Sequence, residues 1–468
     1  MLKYQLNMAK AEAIYTPQVR AMYQNNPWIE ALPDNPDDKE LFKILKGKIP
    51  YDAVERELPA YERRECVQSL SQVFVPCGKS GEIARKIYSA IRAGYVTRNP
   101  IEQAWMQEMS ELQNCVNQKD AGFRSVAGTN ANACGFCIVG DSGMGKTSAV
   151  NHALAMFPQI IIHSQYHDKE FHCAQLVWMR LECPQDASVK GLCSEFFMEF
   201  DRLLGDNTFA KFASGGRTTL DQMIPRMALM AQRHGLGLLV IDEIQNLSAA
   251  KSGGAQRMLN FIVQLVNKIG IPILLVGTPH AIDLLSPDFM SIRRSTGQQG
   301  ACMLDALEPK SNDWNNFTKG IWRYQWTADK TELSAELQDV LYELSYGNID
   351  AAVKLYMEAQ RLAITLGQVG KSEIITTETL KQAAAGDSFR LVLRQLAIEY
   401  ERKNKDGKQA VLTQQDRREV PASRKRQTMP KQQTAGIRNH SEESMRTDED
   451  ILASLAANGQ IVTPEDEF

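Results

Sequence analysis

The sequence predicts an α/β fold in which helices cover a parallel sheet, and three observations support this prediction. A glycine-rich loop joins an apolar run to a helical segment, and two further apolar runs each end in polar side chains. Candidate strands alternate with candidate helices over residues 119–305, as crossover connections between parallel strands require. The flanking segments, residues 1–118 and 306–400, are predicted to be mainly helical.

The glycine-rich loop has the spacing of a polyphosphate-binding loop. Gly140, Gly145, Lys146 and Thr147 fit the pattern G-x-x-x-x-G-K-[ST]. The glycines allow a tight turn, so that successive N–H groups and the start of the next helix point at the phosphates. We expect Lys146 to reach the β- and γ-phosphates and the Thr147 hydroxyl to bind Mg²⁺. The predicted nucleotide-binding residues are Gly140, Asp141, Ser142, Gly143, Met144, Gly145, Lys146, Thr147, Ser148 and Asp242.

The segments beside the loop support this interpretation. Residues 136–139 form a short apolar run that predicts a buried strand, and residues 148–154 predict a helix. Strand, loop and helix follow one another in the order that a phosphate-binding loop needs, so a chance glycine loop is the weaker alternative.

The second apolar run, residues 238–243, ends in two carboxylates. In this Walker B pattern, Asp242 would hold Mg²⁺, directly or through water. Glu243 would orient or deprotonate the attacking water. The alternative is a buried strand that happens to end in surface acids, and the presence of the glycine-rich loop argues against it.

The third apolar run, residues 271–279, ends in a hydroxyl. ATPases of the AAA+ class carry a polar sensor residue on the strand between strands one and three, and we interpret Thr278 as that residue. The alternative is an ordinary turn threonine before Pro279. Together the motifs predict an AAA+ P-loop domain that hydrolyses ATP to ADP and phosphate, with ATP and Mg²⁺ as cofactors.

Apolar periodicity and helix-start signals predict the remaining elements. The sequence predicts strands at 176–181 and 301–304 and helices at 81–93, 189–204, 258–269, 334–346, 350–366 and 377–400. The last three helices have the place and size of an AAA+ lid.

Composition and charge are those of an ordinary globular protein. The 468 residues are 43% hydrophobic and 23% charged, with a net charge of −3. No apolar run is long enough to span a membrane, and the first residues lack the apolar core of a secretory signal. The nine scattered cysteines suit a reducing cytoplasm. The pair Cys134 and Cys137 could bind zinc or act in redox chemistry, but buried apolar side chains are the favoured interpretation.

The composition changes after the predicted lid. Apolar residues become scarce, which predicts disorder over residues 401–468. Residues 401–440 contain eleven Lys or Arg against four Asp or Glu, whereas residues 441–468 contain one Arg against eight Asp or Glu. The acidic half includes a short amphipathic stretch, residues 448–457, which either folds on a partner or belongs to an inert solvated tail.

Several stretches in and around the nucleotide motifs are similar to sequences of one protein family. The stretches are Asn26–Pro33, Gly94–Pro100, Leu238–Ser248, Lys251–Pro279, the pair Arg293 and Arg294, and Tyr342–Gly347. Together they resemble TnsC, the AAA+ regulator of Tns-type cut-and-paste transposons, and the similarity covers roughly residues 15–400. The Walker motifs alone would indicate only an ATPase, and the other stretches make the match specific.

The resemblance implies a mechanism. TnsC-like proteins bind ATP, assemble into rings or filaments around duplex DNA and are disassembled by ATP hydrolysis. They link a target selector of the TnsD or TniQ type to the transposase subunits TnsA and TnsB. Residues 1–118 would then dock the target selector, in a bacterial protein that is cytoplasmic and nucleoid-associated when on DNA. The tail resembles nothing in this family, but its acidic half suits a basic partner such as a transposase.

The catalytic residues that the resemblance implies include cations. Assembly through ATP needs a cation from the neighbouring subunit on the γ-phosphate. Arg293 and Arg294 follow the Thr278 strand by about one helix, where AAA+ arginine fingers lie, with a solvated pair as the alternative. The lid departs from the family pattern, because Asp350 stands where a sensor-2 arginine is expected. Lys354, one helical turn later, could substitute for it.

Contact with duplex DNA is expected to be largely independent of sequence, because no base-reading motif is evident and phosphates are met by lysine and arginine. The candidate contacts, each also explained as a solvated charge, are Lys190, Arg217, Lys251 and Arg257.

Two other functions are alternatives to transposition regulation. One is a STAND-type scaffold ATPase, typified by long repeats after the lid, and the other is a replication-loader-like ATPase, typified by a winged-helix domain there. The sequence shows neither feature.

Overall fold

The computed structural model describes residues 3–118, 135–213, 218–249, 257–258, 260–262, 270–279, 301–387, 389–394 and 396–398. The chain divides into two units, Met1–Asn404 and Lys405–Phe468, and every described residue belongs to the first. The predicted tail, the pair Arg293 and Arg294, and the DNA-contact candidates Arg217 and Lys251 lie outside the described residues.

Two sheets are built from the described strands. Their bounds are β1 Lys10–Glu12, β2 Gly135–Gly140, β3 Ile160–Tyr166, β4 Lys169–Leu176, β5 Trp178–Glu182, β6 Leu238–Asp242, β7 Ile273–Gly277 and β8 Ala301–Leu304. The larger sheet has the order β5-β6-β7-β2-β8, and every neighbouring pair is parallel. The predicted parallel sheet is therefore confirmed, and β7, which precedes Thr278, lies between the strands of the other two motifs.

Helices pack on both faces of this sheet, which explains why its central strands are continuous apolar runs. The described α-helices are α1 Pro27–Glu30, α2 Asp38–Leu45, α3 Ala60–Cys66, α4 Ser80–Val96, α5 Gln103–Gln118, α6 Lys146–Leu154, α7 Val189–Leu204, α8 Thr208–Phe212, α9 Leu220–Arg233, α10 Asn312–Ile321, α11 Ala335–Ser345, α12 Ile349–Gln368 and α13 Thr377–Ala385. Short 3₁₀ helices occupy Ala21–Tyr23, Ala53–Glu57, Val67–Gln72 and Ile244–Ala249. Among the described residues, no helix has the length and apolar character needed to cross a membrane.

The side chains of the central strands alternate between two apolar cores. In β6, Leu239 and Ile241 face one core, which α7 and α9 complete. Leu238 and Val240 face the other, which α4 and α6 complete. The helix predicted at 189–204 and the strand predicted at 301–304 are confirmed with the same bounds.

A smaller sheet, in the order β1-β3-β4, has no counterpart in the sequence prediction. The strand predicted at 176–181 is confirmed as β5, but its bounds differ, because β4 extends to Leu176 and β5 runs from Trp178 to Glu182. β4 pairs antiparallel with β3, whereas β5 pairs parallel with β6. Val177 lies at the change, where its N–H donates to the Gln159 carbonyl at 2.9 Å. An apolar run does not encode which distant strand its residues pair with.

Residues of the N-terminal region hold the loop that leads into β6. Trp28 is fully buried against Gly235, where an added Cβ would lie 2.6 Å from the indole. The Tyr95 hydroxyl donates to the Gly235 carbonyl at 2.6 Å, and Arg98 Nη1 donates to the Leu236 carbonyl at 2.8 Å. Both N-terminal stretches that resemble TnsC therefore fix the start of the Walker B strand.

The helices after the sheet largely follow the predicted pattern. The helices predicted at 334–346 and 350–366 are confirmed as α11 and α12. The single helix predicted at 377–400 is wrong, because α13 ends at Ala385 and Gly386 adopts an extended conformation with ψ of 148°. Glycine ends a helix readily because it gains conformational freedom outside it.

A segment that we call the strap, residues 47–78, contacts these helices through a buried ion pair. The Arg63 and Glu373 side chains are 8% and 10% exposed, and Arg63 Nη2 donates to Glu373 Oε2 at 3.1 Å. Arg63 Nη1 also donates to the Trp326 carbonyl at 2.9 Å, and the Ala328 N–H donates to Glu373 Oε1 at 2.8 Å. The strap and the segment between α10 and α13 are thereby fastened together.

Replacement of Arg63 by alanine should lower the free energy of unfolding by about 3–5 kcal/mol, because Glu373 would be left as a buried unpaired charge. Urea unfolding followed by tryptophan fluorescence measures the loss. Arg64→Ala is the matched control, since Arg64 lies on the same helix, is only half-buried and donates to the Gln368 side chain. We expect a change within about 0.5 kcal/mol for the control. Equal losses in the two variants would contradict a stabilising role for the ion pair.

Candidate nucleotide-binding site

The loop between β2 and α6 lines a cavity of about 700 Å³. Gly143 and Gly145 have φ angles of 78° and 76°, in the left-handed region that glycine tolerates. α6 begins at Lys146, so the positive end of its dipole lies at the loop. Lys146 Nζ reaches back and donates to the Asp141 carbonyl at 2.8 Å. The loop therefore presents backbone donors and one ammonium group to the cavity, which suits a polyphosphate.

Lys146 is half-buried and lies among acids. Burial lowers the pKa of Lys146, whereas Glu243, Asp242 and Asp141 raise it, and the net shift is downward. Burial has thus removed water from the ammonium group, and the attraction of the surrounding acids does not fully compensate for this loss of hydration. Phosphate oxygens would restore the lost contacts through charge-assisted hydrogen bonds.

Asp242 and Thr147 meet behind the loop. Asp242 is 2% exposed, and its Oδ2 accepts a hydrogen bond from Thr147 Oγ1 at 3.2 Å. A carboxylate and a hydroxyl are hard oxygen ligands of the kind that Mg²⁺ binds together with water and substrate phosphates. The two side chains therefore fit the predicted Mg²⁺ site.

Glu243 and Thr278 line the same cavity. Glu243 has a φ of 57°, which is uncommon for a residue other than glycine. Its N–H donates to Asp242 Oδ1 at 2.8 Å, and its carboxylate accepts a hydrogen bond from the Gln245 side-chain amide. The structure thus brings Lys146, Glu243 and Thr278 to one cavity, with Gln245, which the sequence analysis missed, orienting the Glu243 carboxylate.

The start of α12 contacts the loop directly. Asn348 caps this helix, with Oδ1 accepting from the Ala351 N–H at 3.0 Å, and its Nδ2 donates to the Ser142 carbonyl at 2.9 Å. The Asp350 N–H donates to the Gly143 carbonyl at 3.0 Å. An added Cβ on Gly143 would lie 2.5 Å from Asn348 Oδ1, so this approach requires glycine. Asparagine before a helix signals a cap, but its contact with the loop has no local signal.

The helix α12 and the strap line the remainder of the cavity. Because α12 belongs to the segment predicted to be the lid, we call it the lid helix. Lys354 lies one turn after Asp350 and forms an ion pair with it at 2.6 Å, within the cavity lining. Farther along α12, Arg361 Nη2 donates to Gln68 Oε1 of the strap at 2.7 Å. The loop, the lid helix and the strap therefore surround one space.

Arg180 of β5 is a further residue that sequence reasoning missed. Its Nη2 lies 2.9 Å from Asp242 Oδ2, and its Nη1 donates to Asn151 Oδ1 at 2.9 Å. The side chain comes from a strand outside the recognised motifs, and only the pairing of β5 with β6 brings it to the Walker B acid.

Two of the four DNA-contact candidates belong to the described residues. Lys190 is in the first turn of α7, and Arg257 is exposed. Neither is among the cavity-lining residues, and their role in DNA contact stays a prediction. Of the cysteine pair, Cys137 is buried in β2 and Cys134 lies outside the described residues.

Comparison with known proteins defines the class. Residues 132–285 match the family model of the AAA domain. The chain therefore contains an AAA-type P-loop ATPase domain, which the parallel sheet, the loop and the Walker B acids also define. A search of curated proteins found no significant match.

Several solved structures are similar to the chain at low identity. The ORC2 protein of Aeropyrum pernix in its ADP form matches with a TM-score of 0.38 and 13% identity, over 61% of this chain and 69% of that one. A Walker-type ATPase of Pyrococcus abyssi matches with a TM-score of 0.37 and 14% identity, over 64% and 76% of the two chains. Cdc6p of Pyrobaculum aerophilum matches with a TM-score of 0.37 and 13% identity, over 62% and 70%. These scores are too low to bear on function.

Glu243→Gln should bind ATP with unchanged affinity and lose at least about 99% of the ATPase rate, since general-base catalysis contributes about 10²–10⁴-fold. Thr147 and Asp242 are intact in this variant, so Mg²⁺ binding should persist. Nucleotide titration and phosphate release measure the two effects separately.

Lys146→Ala is the control with the opposite pattern, because it removes the phosphate contact itself. It should bind ATP weakly or not at all. Glu243→Gln turning over near the wild-type rate would show that another group activates the water.

Proposed function

We propose that the chain is an ATP-dependent regulator of DNA transposition. It assembles on target DNA, links a target selector to the transposase, and is disassembled by ATP hydrolysis. The proposal has two parts, which are the use of ATP and the purpose that this use serves. The site supports the first part, and the resemblance to TnsC supports the second.

One observation carries the first part: Lys146, Thr147 and Glu243 line one cavity, and Asp242 accepts a hydrogen bond from Thr147. Lys146 and the start of α6 hold the phosphates in place. Thr147 and Asp242 hold Mg²⁺, which neutralises phosphate charge when bound. Glu243 orients the attacking water and accepts its proton, and Thr278 lines the same cavity. This arrangement suits hydrolysis of ATP to ADP and phosphate.

The resemblance to TnsC supports a role in transposition, because several of the matching residues hold the nucleotide site in place. Trp28 and Tyr95 hold the loop before the Walker B strand. Tyr346 and Gly347 have φ of 52° and 71°, and this turn delivers Asn348 to the phosphate loop. The matching stretches thus include the framework of the site as well as the nucleotide motifs.

In the proposed assembly, each nucleotide lies beside a neighbouring subunit. Arg293 and Arg294 act there as arginine fingers on the γ-phosphate. Lys190, Arg217, Lys251 and Arg257 are the proposed contacts to DNA phosphates, and binding is largely independent of sequence.

Electron microscopy on duplex DNA tests the proposal. We expect rings or filaments on DNA with a non-hydrolysable ATP analogue and none with ADP, because the nucleotide completes the subunit contact. Glu243→Gln should give the same assemblies with ATP itself, and Lys146→Ala should give none. Nucleotide binding without DNA assembly would favour a scaffold ATPase. Stimulated loading of a helicase, without an effect on transposition, would favour a replication loader.

The acidic end of the tail is proposed to recruit the transposase. Residues 441–468 carry eight Asp or Glu against one Arg, which suits a basic partner, and the preceding segment would act as a flexible tether. Deletion of these residues should leave ATPase activity and DNA assembly intact while lowering transposase co-purification and transposition in cells. Replacement by a neutral sequence of equal length separates the loss of charge from the loss of length. Wild-type transposition by the truncated protein would make the tail an inert appendage.

A further inference from the structure

Arg180 joins three elements around the Walker B acid. β5 pairs with β6 in parallel register, with Arg180 opposite Val240, so the Arg180 side chain reaches forward to the end of β6. Its Nη2 lies 2.9 Å from Asp242 Oδ2, and its Nη1 donates to Asn151 Oδ1 of α6 at 2.9 Å. One guanidinium group thus ties the Walker B strand to the helix that follows the phosphate loop.

Asp242 needs this contact because it is buried. The Asp242 side chain is 3% exposed and the Arg180 side chain is 27% exposed, so the pair lies at the edge of solvent with its acid inside. A buried carboxylate without a cation or hydrogen-bond donor is energetically costly. Among the described residues, Asp242 forms an ion pair with Arg180.

The contacts form a closed ring around the predicted metal ligands. Thr147 Oγ1 donates to Asp242 Oδ2, the same oxygen that Arg180 contacts. Asn151 lies four residues after Thr147 and therefore on the same face of α6. A planar guanidinium can hold both partners at once, whereas an ammonium group acts as a point charge. The ring fixes the Asp242 carboxylate in position beside the Thr147 hydroxyl.

We infer that Arg180 is a positioning residue for the metal site, which holds Asp242 where a Mg²⁺ ion on Thr147 requires it. This inference rests on the proposed use of Mg²⁺ and ATP. Arg180 acts through Asp242, and it is absent from the residues that line the cavity. Partners that orient a metal ligand change metal affinity by about 10–100-fold when they are removed.

The test is nucleotide affinity measured twice for each variant, with excess Mg²⁺ and with EDTA. Arg180→Met should weaken ATP binding in Mg²⁺ and raise the Mg²⁺ concentration needed for half-saturation, each by about tenfold or more. Its affinity in EDTA should match that of the wild type, because the phosphate loop is untouched. Arg180→Lys should recover little of the lost Mg²⁺-dependent ATP affinity, since one ammonium group cannot contact both Asp242 and Asn151. Arg202→Met is the matched control, because Arg202 pairs with Glu199 on the surface of α7.

Asn151→Ala is a second variant, for use if Arg180→Met fails to fold. It keeps the buried ion pair between Arg180 and Asp242 and removes only the Asn151 side chain, to which Arg180 donates. It should shift the Mg²⁺ requirement in the same direction by a smaller factor. An unchanged Mg²⁺ requirement, equal losses in Mg²⁺ and EDTA, or full rescue by Arg180→Lys would each overturn the inference. Absence of Mg²⁺-dependent ATP binding in the wild type would instead overturn the proposed function.

Discussion

The burial of the Asp242 carboxylate is the constraint on which the site depends. At 2% exposure the charge needs partners inside the protein, and three elements supply them. Thr147 comes from α6, Arg180 from β5, and the Glu243 N–H from the turn after β6. β7 separates β6 from β2, so these side chains bridge the space at the carboxyl ends of the strands. The Walker B acid and the helix that follows the phosphate loop are thereby held in one arrangement.

The same arrangement explains why residues far from the motifs matter. Trp28 and Tyr95 fix the entrance of β6, and the position of Asp242 at its other end follows. On the opposite side of the cavity, Asn348 joins the lid helix to the loop, and Arg361 joins that helix to the strap. The phosphate loop, the lid helix and the strap are therefore linked to one another by hydrogen bonds.

Local patterns were sufficient to predict the central sheet, the phosphate loop and the Walker B acids, because each depends on residues close together in sequence. The contacts of Asn348 with Ser142, and of Arg180 with Asp242, join residues 206 and 62 positions apart, and no local spacing encodes them. The division of one apolar run between β4 and β5 was missed for the same reason. The end of α13 at Gly386 had a local signal, but the surrounding helical pattern outweighed it in the prediction.

The charge of the cavity bears on assembly. Among the described lining residues there are three cations, Lys146, Lys354 and Arg361, against four acids, Glu243, Asp305, Asp350 and Glu358. Lys354 and Arg361 are already paired with Asp350 and Glu358. Lys146 is thus left as the principal positive charge available to a polyphosphate. Mg²⁺ alone would not balance the negative charge that remains on the polyphosphate after its contact with Lys146. A site short of positive charge gains most from a cation brought by a neighbouring subunit. This balance favours the proposal that ATP acts at a subunit contact, where binding and assembly reinforce each other.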